Sequence, residues 1–185
     1  MDIKETYMAI LDEHRQVCEK LDEDSMHEFI ETIKKYDRVF TAGVGREGLM
    51  TRAFAMRLMH TGREVHWIWD DTTPSIMPGD LLIATLGDGE IGHLDYVCRR
   101  AKEVGAYVLV ITGSPSGITA VEVADQVLFI PAAVYRGKDK VVPSIQPMGN
   151  LFEQSLLLLA DVTIMTLVDE TPGLNLEEMG ARHRN

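Results

Sequence analysis

The sequence predicts an α/β fold with a five-stranded parallel sheet flanked by helices, preceded by N-terminal helices and followed by a buried C-terminal helix. From Arg38 onward, short apolar runs alternate with longer segments of helical period, which is the pattern of successive strand–helix–strand units. An apolar fraction of 45% beside a charged fraction of 25% is enough for a packed core under a hydrated surface. The 185 residues predict one domain over 1–185, with a helical element at 1–36 and an α/β core at 37–185.

The N-terminal part has helical period and contains a start signal for its second helix. Ser25 and Glu28 have the types and spacing of a capping box and predict a helix over 26–36. Gly62 and Gly105 fall where two later helices should end, because glycine readily adopts the left-handed conformation that closes a helix. The β-rich runs typical of buried parallel strands are 39–42, 65–69, 81–86, 107–111 and 127–130.

The segment after the fifth predicted strand has three parts. Residues 131–146 are polar and contain proline and glycine, which predicts a loop beside a site. Residues 148–168 form a helix that is apolar on all sides, so we expect it to be buried within the fold or between subunits. Asn175 and Glu178 predict the start of a last short helix that ends near Arg182 and His183.

The composition argues against several classes of partner. With 29 Asp and Glu against 18 Lys and Arg, the net charge of -11 opposes binding to nucleic acid or to an anionic membrane. No apolar run approaches the roughly 18 residues of a membrane span, and the first residues form no secretory leader. We therefore expect a cytoplasmic protein. Cys18 and Cys98 are too few for a disulfide framework, and we expect both thiols to pack as small apolar groups.

Two glycine-rich turns follow predicted strands, at the edge where open parallel sheets bind ligands. Residues 43–48 read Gly-Val-Gly-Arg-Glu-Gly after the first strand, and residues 87–90 read Gly-Asp-Gly-Glu after the third. Small residues let backbone amides approach a ligand, and a helix start favours an anion. The first turn has the spacing of a dinucleotide fingerprint, but it lacks a convincing acidic residue at the end of the second strand, where Asp70 and Asp71 are the nearest candidates. A Walker lysine is also absent. We predict no nicotinamide cofactor.

A metal site is not predicted either. Glu90 and His93 could share a helix face near Asp88, but such a group is typical of a solvated helix start.

Longer strings carry a family resemblance. Residues 39–46 read Val-Phe-Thr-Ala-Gly-Val-Gly-Arg, residues 52–60 read Arg-Ala-Phe-Ala-Met-Arg-Leu-Met-His, and residues 146–153 read Gln-Pro-Met-Gly-Asn-Leu-Phe-Glu. With Thr-Thr-Pro at 72–74, Gly-Asp-Leu-Leu-Ile at 79–83 and Arg-His at 182–183, the similarity spans nearly the whole chain. The sequence resembles the sugar isomerase (SIS) domain, most closely the 6-phospho-3-hexuloisomerases.

The resemblance implies a three-layer SIS fold, assembled as a homotetramer or homodimer with sites at subunit interfaces. It also implies that a ketose phosphate and its isomer interconvert through an enediol without a redox cofactor. Glu153 matches the family's glutamate and would move the proton, since burial can raise the pKa of a carboxyl toward neutrality. His183 matches the family's C-terminal histidine and would open the sugar ring. A carboxylate balancing a helix dipole is the structural alternative for Glu153.

The remaining candidate residues would bind the substrate. Arg46 could hold a ligand anion, although a surface arginine in a turn is the alternative. His60 fits a site role or a favourable cation at a helix C-terminus equally well. The full set of substrate-binding candidates is Gly45, Arg46, Glu47, His60, Gly87, Asp88, Gly89 and Glu90.

The sequence departs from the family at both turns. The family pattern after the third strand is roughly Ser-Gly-Ser-Gly-Glu-Thr, whose hydroxyls donate to phosphate, whereas residues 86–91 here read Leu-Gly-Asp-Gly-Glu-Ile. Glu47 stands where the family has a serine. Unit charges about 4 Å apart interact by roughly 4 kcal/mol at an effective dielectric of 20, and a helix dipole contributes about 1 kcal/mol or less. These turns therefore predict weak phosphate binding.

Three interpretations remain open. The substrate is an unphosphorylated or amino sugar, whose donors Glu47, Asp88 and Glu90 would accept. Alternatively, the phosphate of an ordinary sugar phosphate binds elsewhere, to cations from Arg46, Arg63 or the Lys138 and Lys140 loop of a neighbouring subunit. In the third interpretation, the chain is a non-catalytic sugar-sensing protein that retains the fold.

Overall fold

The computed structural model describes residues 2–183 and contains one parallel sheet of five strands. The strands are β1 Arg38–Ala42, β2 Glu64–Trp67, β3 Leu81–Thr85, β4 Tyr107–Thr112 and β5 Gln126–Phe129. Their order across the sheet is β2-β1-β3-β4-β5, and the predicted five-stranded parallel sheet is confirmed. In this order, β1 and β3 lie side by side although β2 separates them along the chain, so the turns that follow β1 and β3 meet at one edge of the sheet.

Helices cover both faces of the sheet and give the predicted three layers. Side chains alternate between the faces along each strand, so Leu81 and Ile83 point to one core while Leu82 and Ala84 point to the other. The helices are α1 Ile3–Lys20, α2 Glu23–Lys34, α3 Gly45–His60, α4 Gly92–Glu103, α5 Ile118–Glu122, α6 Asn150–Glu170 and α7 Leu176–His183. The first core includes side chains from α1, α2, α3 and α6, and the second includes side chains from α4 and α5.

Several predicted boundaries are wrong for local reasons. The second helix begins one turn earlier than predicted, because Asp22 is its N-cap and accepts from the Asp24 amide at 3.2 Å. Ser25 therefore lies inside α2. The second strand ends at Trp67, whose carbonyl accepts from the Asp70 amide in a turn.

The boundaries of the later helices follow the predictions more closely, with the start of α6 as the exception. Gly62 and Gly105 have the expected positive φ angles of 97° and 90° after α3 and α4. Asn175 caps the last helix, where its side chain accepts from the Glu178 amide at 3.0 Å. The apolar helix starts at Asn150 rather than 148, because Met148 has a left-handed φ of 58° that a helix cannot contain.

Helix α6 corrects the expectation that no segment approaches a membrane span. By length and composition it could cross a membrane, but half of its most apolar window is buried inside the fold. Phe152, Leu156 and Leu167 pack in the first core, which accounts for that part of its apolar character. Leu158, Val162 and Met165 lie on the opposite side and are exposed, so the helix is buried on one face only.

The two cysteines differ in environment. Cys98 is buried in the second core, and burial raises its pKa to about 12, so the thiol is a packed apolar group as expected. Cys18 is exposed on α1, so the same expectation is wrong for that residue.

A buried carboxylate ties α1 to the segment that precedes α6. Glu13 accepts hydrogen bonds from the Ser144 hydroxyl at 2.7 Å, the Ile145 amide at 2.6 Å and the Gln146 side-chain amide at 3.0 Å. Burial disfavours the charged carboxylate, but these hydrogen bonds outweigh it and hold the pKa of Glu13 below its usual value. The contacts fix the entry of the chain into α6, where Glu153 lies.

Replacing Glu13 with glutamine is expected to lower the free energy of unfolding by about 2 kcal/mol at pH 7, because a charge-assisted acceptor is lost and an amide donor faces other donors. Because the folded state depresses this pKa, the loss should shrink as the pH falls below the ordinary value of 4.5. Urea unfolding of both proteins at pH 7 and pH 4 measures the difference. An equal loss at both pH values would show that the ionised Glu13 carboxylate is not the source of this stability. Glu19→Gln, on the exposed surface of the same helix, is the matched control.

Candidate active site

The first turn brings three chain segments into close contact. The hydroxyls of Thr51 and Thr85 lie 2.7 Å apart and join α3 to β3. A Cβ atom on Gly43 would lie 2.6 Å from the Thr85 hydroxyl and 2.9 Å from that of Thr51. Glycine is therefore required at Gly43 for helix α3 to start against the sheet. The geometry places the first turn of α3 beside the turn after β3.

A cavity of about 170 Å³ opens at this edge of the sheet. We call it the Glu153 cavity. Glu153, in the first turn of α6, pairs with the guanidinium of Arg46, in the first turn of α3. The same guanidinium donates to the Asn150 side-chain oxygen at 3.1 Å. Polar or charged groups on its wall come from Arg46, Glu47, Gly87, Asp88, Tyr135 and Glu153.

The cavity holds more negative than positive charge. Arg46 is the only cationic residue that lines it in the described part of the chain, whereas Glu47, Asp88 and Glu153 are acidic. The Glu153 side chain is 16% exposed, so its carboxylate is largely shielded from water but open to a ligand in the cavity. A partly buried carboxylate beside a guanidinium is able to accept a proton from a bound molecule.

Glu47 contacts the turn after β3 directly. Its two carboxylate oxygens accept from the Gly87 amide at 3.1 and 3.0 Å. Burial raises the pKa of Glu47 to about 7, and the negative charges of Asp88 and Glu153 act in the same direction, while the Gly87 hydrogen bond opposes them. A carboxyl that titrates near neutrality in a cleft indicates a functional site.

This carboxyl predicts a pH-dependent stability. The folded protein holds the Glu47 proton more tightly than the unfolded chain, so stability falls as the pH rises from 4.5 through about 7. Glu47→Gln removes the charge, and we expect it to raise the free energy of unfolding at pH 8 by at most about 3 kcal/mol and to change it little at pH 4.5. Calorimetry at the two pH values measures the effect. A lower stability of the variant at pH 8 would contradict the prediction, and Glu90→Gln, an exposed acid nearby, is the control.

A second cavity of about 770 Å³ adjoins the first, with Asp88 on the wall of both. We call it the Arg136 cavity. Arg136 and Lys138 supply its positive charge, and Asp88, Glu90 and Glu122 supply its negative charge. The buried Ser114 also lines it, and the Ser114 hydroxyl has no hydrogen-bond partner within residues 2–183.

The two predicted histidines lie away from both cavities. The rings of His60 and His183 are 5.0 Å apart, where α7 packs against the C-terminal end of α3. His60 is 3% exposed, and burial, with His183 and Arg57 nearby, lowers its pKa. Arg46 lies at the other end of α3, and a helix of 16 residues separates its ends by about 20 Å. Within one chain, His183 and Glu153 therefore lie near opposite ends of α3 and do not share a site.

The structure divides the predicted site residues into three groups. The Glu153 cavity is lined by Gly45, Arg46, Glu47, Gly87, Asp88 and Glu153. Glu90 is exposed and lines the Arg136 cavity, while Gly89 has a φ of 77° and packs against the Ser114 carbonyl. His60 and His183 form the separate pair.

Sequence reasoning missed Tyr135 and Met148, which line the Glu153 cavity, and Asn150, which contacts its Arg46. Asn150 anchors the Arg46 guanidinium, Tyr135 lines the wall, and Met148 adopts its left-handed conformation just before α6. Tyr135 belongs to the predicted loop, so its position beside a site was the available signal.

Within residues 2–183, no group of three or more His, Cys, Asp or Glu side chains is placed to hold a metal ion.

Comparison with known proteins supports the same reading of the fold. The chain is 35% identical over 185 residues to the 3-hexulose-6-phosphate isomerase of Bacillus subtilis, covering 100% of this chain and 99% of that protein. It is 36% identical over 184 residues to the enzyme of that name from Mycobacterium gastri, covering 100% and 91%. A crystal structure from Methanococcus jannaschii, for which that isomerase function was inferred, superimposes with a TM-score of 0.83 at 29% identity and 98% coverage of both chains.

No protein-family model matches the chain. The full-length identity to two named isomerases nevertheless confirms both the predicted family and the predicted enzyme class. The chain is an isomerase and belongs to the sugar isomerase (SIS) family, with the 3-hexulose-6-phosphate isomerases as its full-length relatives.

Proposed function

We propose that the protein interconverts a ketose and its isomer, as a sugar phosphate or a sugar, by proton transfer through an enediol, with Glu153 as the base. The observation that carries this proposal is the position of Glu153 in a cavity at the strand ends, largely shielded from water and paired with Arg46. Moving a proton between adjacent carbons needs one group that accepts and returns it, and a carboxylate held in place does both.

Arg46 acts on the same step. Its guanidinium contacts Glu153 and Asn150 and lines the cavity, so it is positioned to neutralise the negative oxygen that develops on an enediol. It also holds the carboxylate in one orientation, which favours transfer at a defined carbon. The small volume of the cavity, about 170 Å³, fits the reacting end of a sugar, and the adjoining Arg136 cavity has room for the rest of the molecule.

The proposed ring-opening role of His183 requires a second subunit. About 20 Å of helix α3 separates the His60 and His183 pair from Arg46 in one chain. His183 is exposed, so it is available to a neighbouring copy. We therefore place the complete site at an interface of a homodimer or homotetramer, to which one copy contributes Glu153 and another contributes His183.

Exposed apolar surface supports self-association. Leu158, Val162 and Met165 share one side of α6 and are 53%, 47% and 71% exposed. Helix α1 packs against α6 and leaves Tyr7 and Leu11 exposed as well. Burying one such side chain contributes about 1.5–3 kcal/mol, so pairing of this surface between two copies would stabilise a dimer. The net charge of -11 supports a small-molecule substrate rather than nucleic acid or an anionic membrane as the partner. We also propose that the protein is cytoplasmic.

The decisive experiment measures turnover. Purified protein is incubated with 3-hexulose 6-phosphate, fructose 6-phosphate, fructose and glucosamine in deuterium oxide, and deuterium incorporation at carbon is followed by NMR together with product formation. The proposal expects isomerisation with solvent deuterium on the carbon that accepts the proton. Binding without exchange or turnover for every sugar would instead support a non-catalytic sugar-sensing protein.

A further inference from the structure

We propose that Glu47 determines specificity at the turn after β3. Its carboxylate accepts the hydrogen bond of the Gly87 amide and thereby excludes phosphate from this turn. The position is then open to a hydroxyl or ammonium group of the substrate. This inference rests on the proposed function only in assuming that the bound molecule is a sugar.

The hydrogen bonds of Glu47 support the exclusion. A backbone amide at the end of a buried strand, beside a helix start, is a typical donor to a phosphate oxygen. Here the Gly87 amide already donates to both Glu47 oxygens, at 3.1 and 3.0 Å. A phosphate could use this donor only by displacing the carboxylate into the acidic surroundings of Asp88 and Glu153.

The side chains of the turn that contains Gly87 offer phosphate no replacement donor. Leu86 and Ile91, on either side of the turn, are aliphatic, and the Asp88 carboxylate accepts from the Arg136 amide at 3.3 Å. Phosphate would therefore meet two acceptors of the same charge. Arg46 is the single cation on this wall within residues 2–183, and it is already paired with Glu153.

The same arrangement suits a donor group. A carboxylate can accept several hydrogen bonds, and the Gly87 amide satisfies only part of the capacity of Glu47. A hydroxyl or an ammonium group that enters the Glu153 cavity would find Glu47 and Asp88 as acceptors. If the substrate carries a phosphate, this geometry directs it to the Arg136 cavity, where Arg136 and Lys138 supply positive charge.

The test compares wild-type protein with Glu47→Ser, Glu47→Gln and Asp88→Ser. Binding of inorganic phosphate is measured by isothermal titration at pH 8, where Glu47 is mostly ionised. Serine frees the Gly87 amide and adds a donor, so we expect Glu47→Ser to bind phosphate at least about tenfold more tightly than wild type, with a smaller gain for Glu47→Gln. Asp88→Ser removes an equal charge without freeing Gly87, so its gain should be smaller than that of Glu47→Ser.

The donor preference is tested with glucosamine and glucose at pH 7. Wild-type protein should bind glucosamine more tightly than glucose, and Glu47→Ser should lose most of that difference. Equal gains in phosphate affinity for Glu47→Ser and Asp88→Ser would reduce the effect to net charge and overturn the proposal. Tight phosphate binding that persists when Arg136 and Lys138 are both replaced by alanine would overturn it as well, because that phosphate would not be bound by the Arg136 cavity. Equal binding of both sugars, or binding of neither, would also overturn it. Because binding is the readout, a failure of isomerase turnover would affect the proposed function and not this inference.

Discussion

Glu153→Gln is expected to lower kcat by about 10³-fold and to leave substrate affinity within about a factor of three, because glutamine keeps the shape of the side chain but cannot take up a proton. Deuterium exchange into the sugar should fall in parallel with turnover. Arg46 keeps a neutral oxygen as partner, so the cavity should hold its form.

The matched control is Glu103→Gln, which makes the same chemical change at an exposed position of helix α4, on the other side of the sheet. Its kcat should equal that of wild type. Unimpaired exchange in Glu153→Gln would remove Glu153 from the mechanism and leave Glu47, with its pKa of about 7, as the next candidate base.

If the exposed apolar side of α6 joins the copies as proposed, Met165→Glu is expected to dissociate the oligomer, because it places one charge per subunit in that contact. Sedimentation velocity should show the mass of a single 20.7 kDa chain at concentrations where wild type is associated. If His183 of a neighbouring copy completes each site, turnover should fall at least about tenfold with dissociation.

Tyr96→Glu is the control for this experiment. Tyr96 is 65% exposed on α4, on the other side of the sheet, and it should leave both mass and turnover unchanged. A monomeric Met165→Glu protein with full activity would show that one chain forms a complete site, and an associated variant would place the interface elsewhere.

Local sequence patterns were enough to predict most of the fold. Strand–helix alternation predicted the five strands, since buried parallel strands are short apolar runs whatever surrounds them. Gly62 and Gly105 were predictable as helix ends because the left-handed conformation is a property of the residue itself. The start of α2 was misplaced because Asp22 and Ser25 are equally good caps, and the pattern does not choose between them.

The site was predictable only in part. Strand ends of a parallel sheet meet at one edge, so the grouping of Arg46 with the turn after β3 followed from topology. The hydrogen bond from the Gly87 amide to Glu47 could not be predicted from topology, because it depends on the packing of α3 against β3 through Thr51 and Thr85. The sequence indicated Glu47 as an acid near a ligand but gave no sign of its hydrogen-bond partner.

By itself, the sequence determined the α/β class, the parallel sheet and the family, because these depend on periodicity and on strings of residues along the chain. Only the tertiary structure decided that Glu153 pairs with Arg46, that the pKa of Glu47 rises to about 7, and that His183 lies with His60 away from them. Burial, charge and distance between residues far apart in the chain exist only after folding, since they depend on how helices α3, α6 and α7 pack on one sheet.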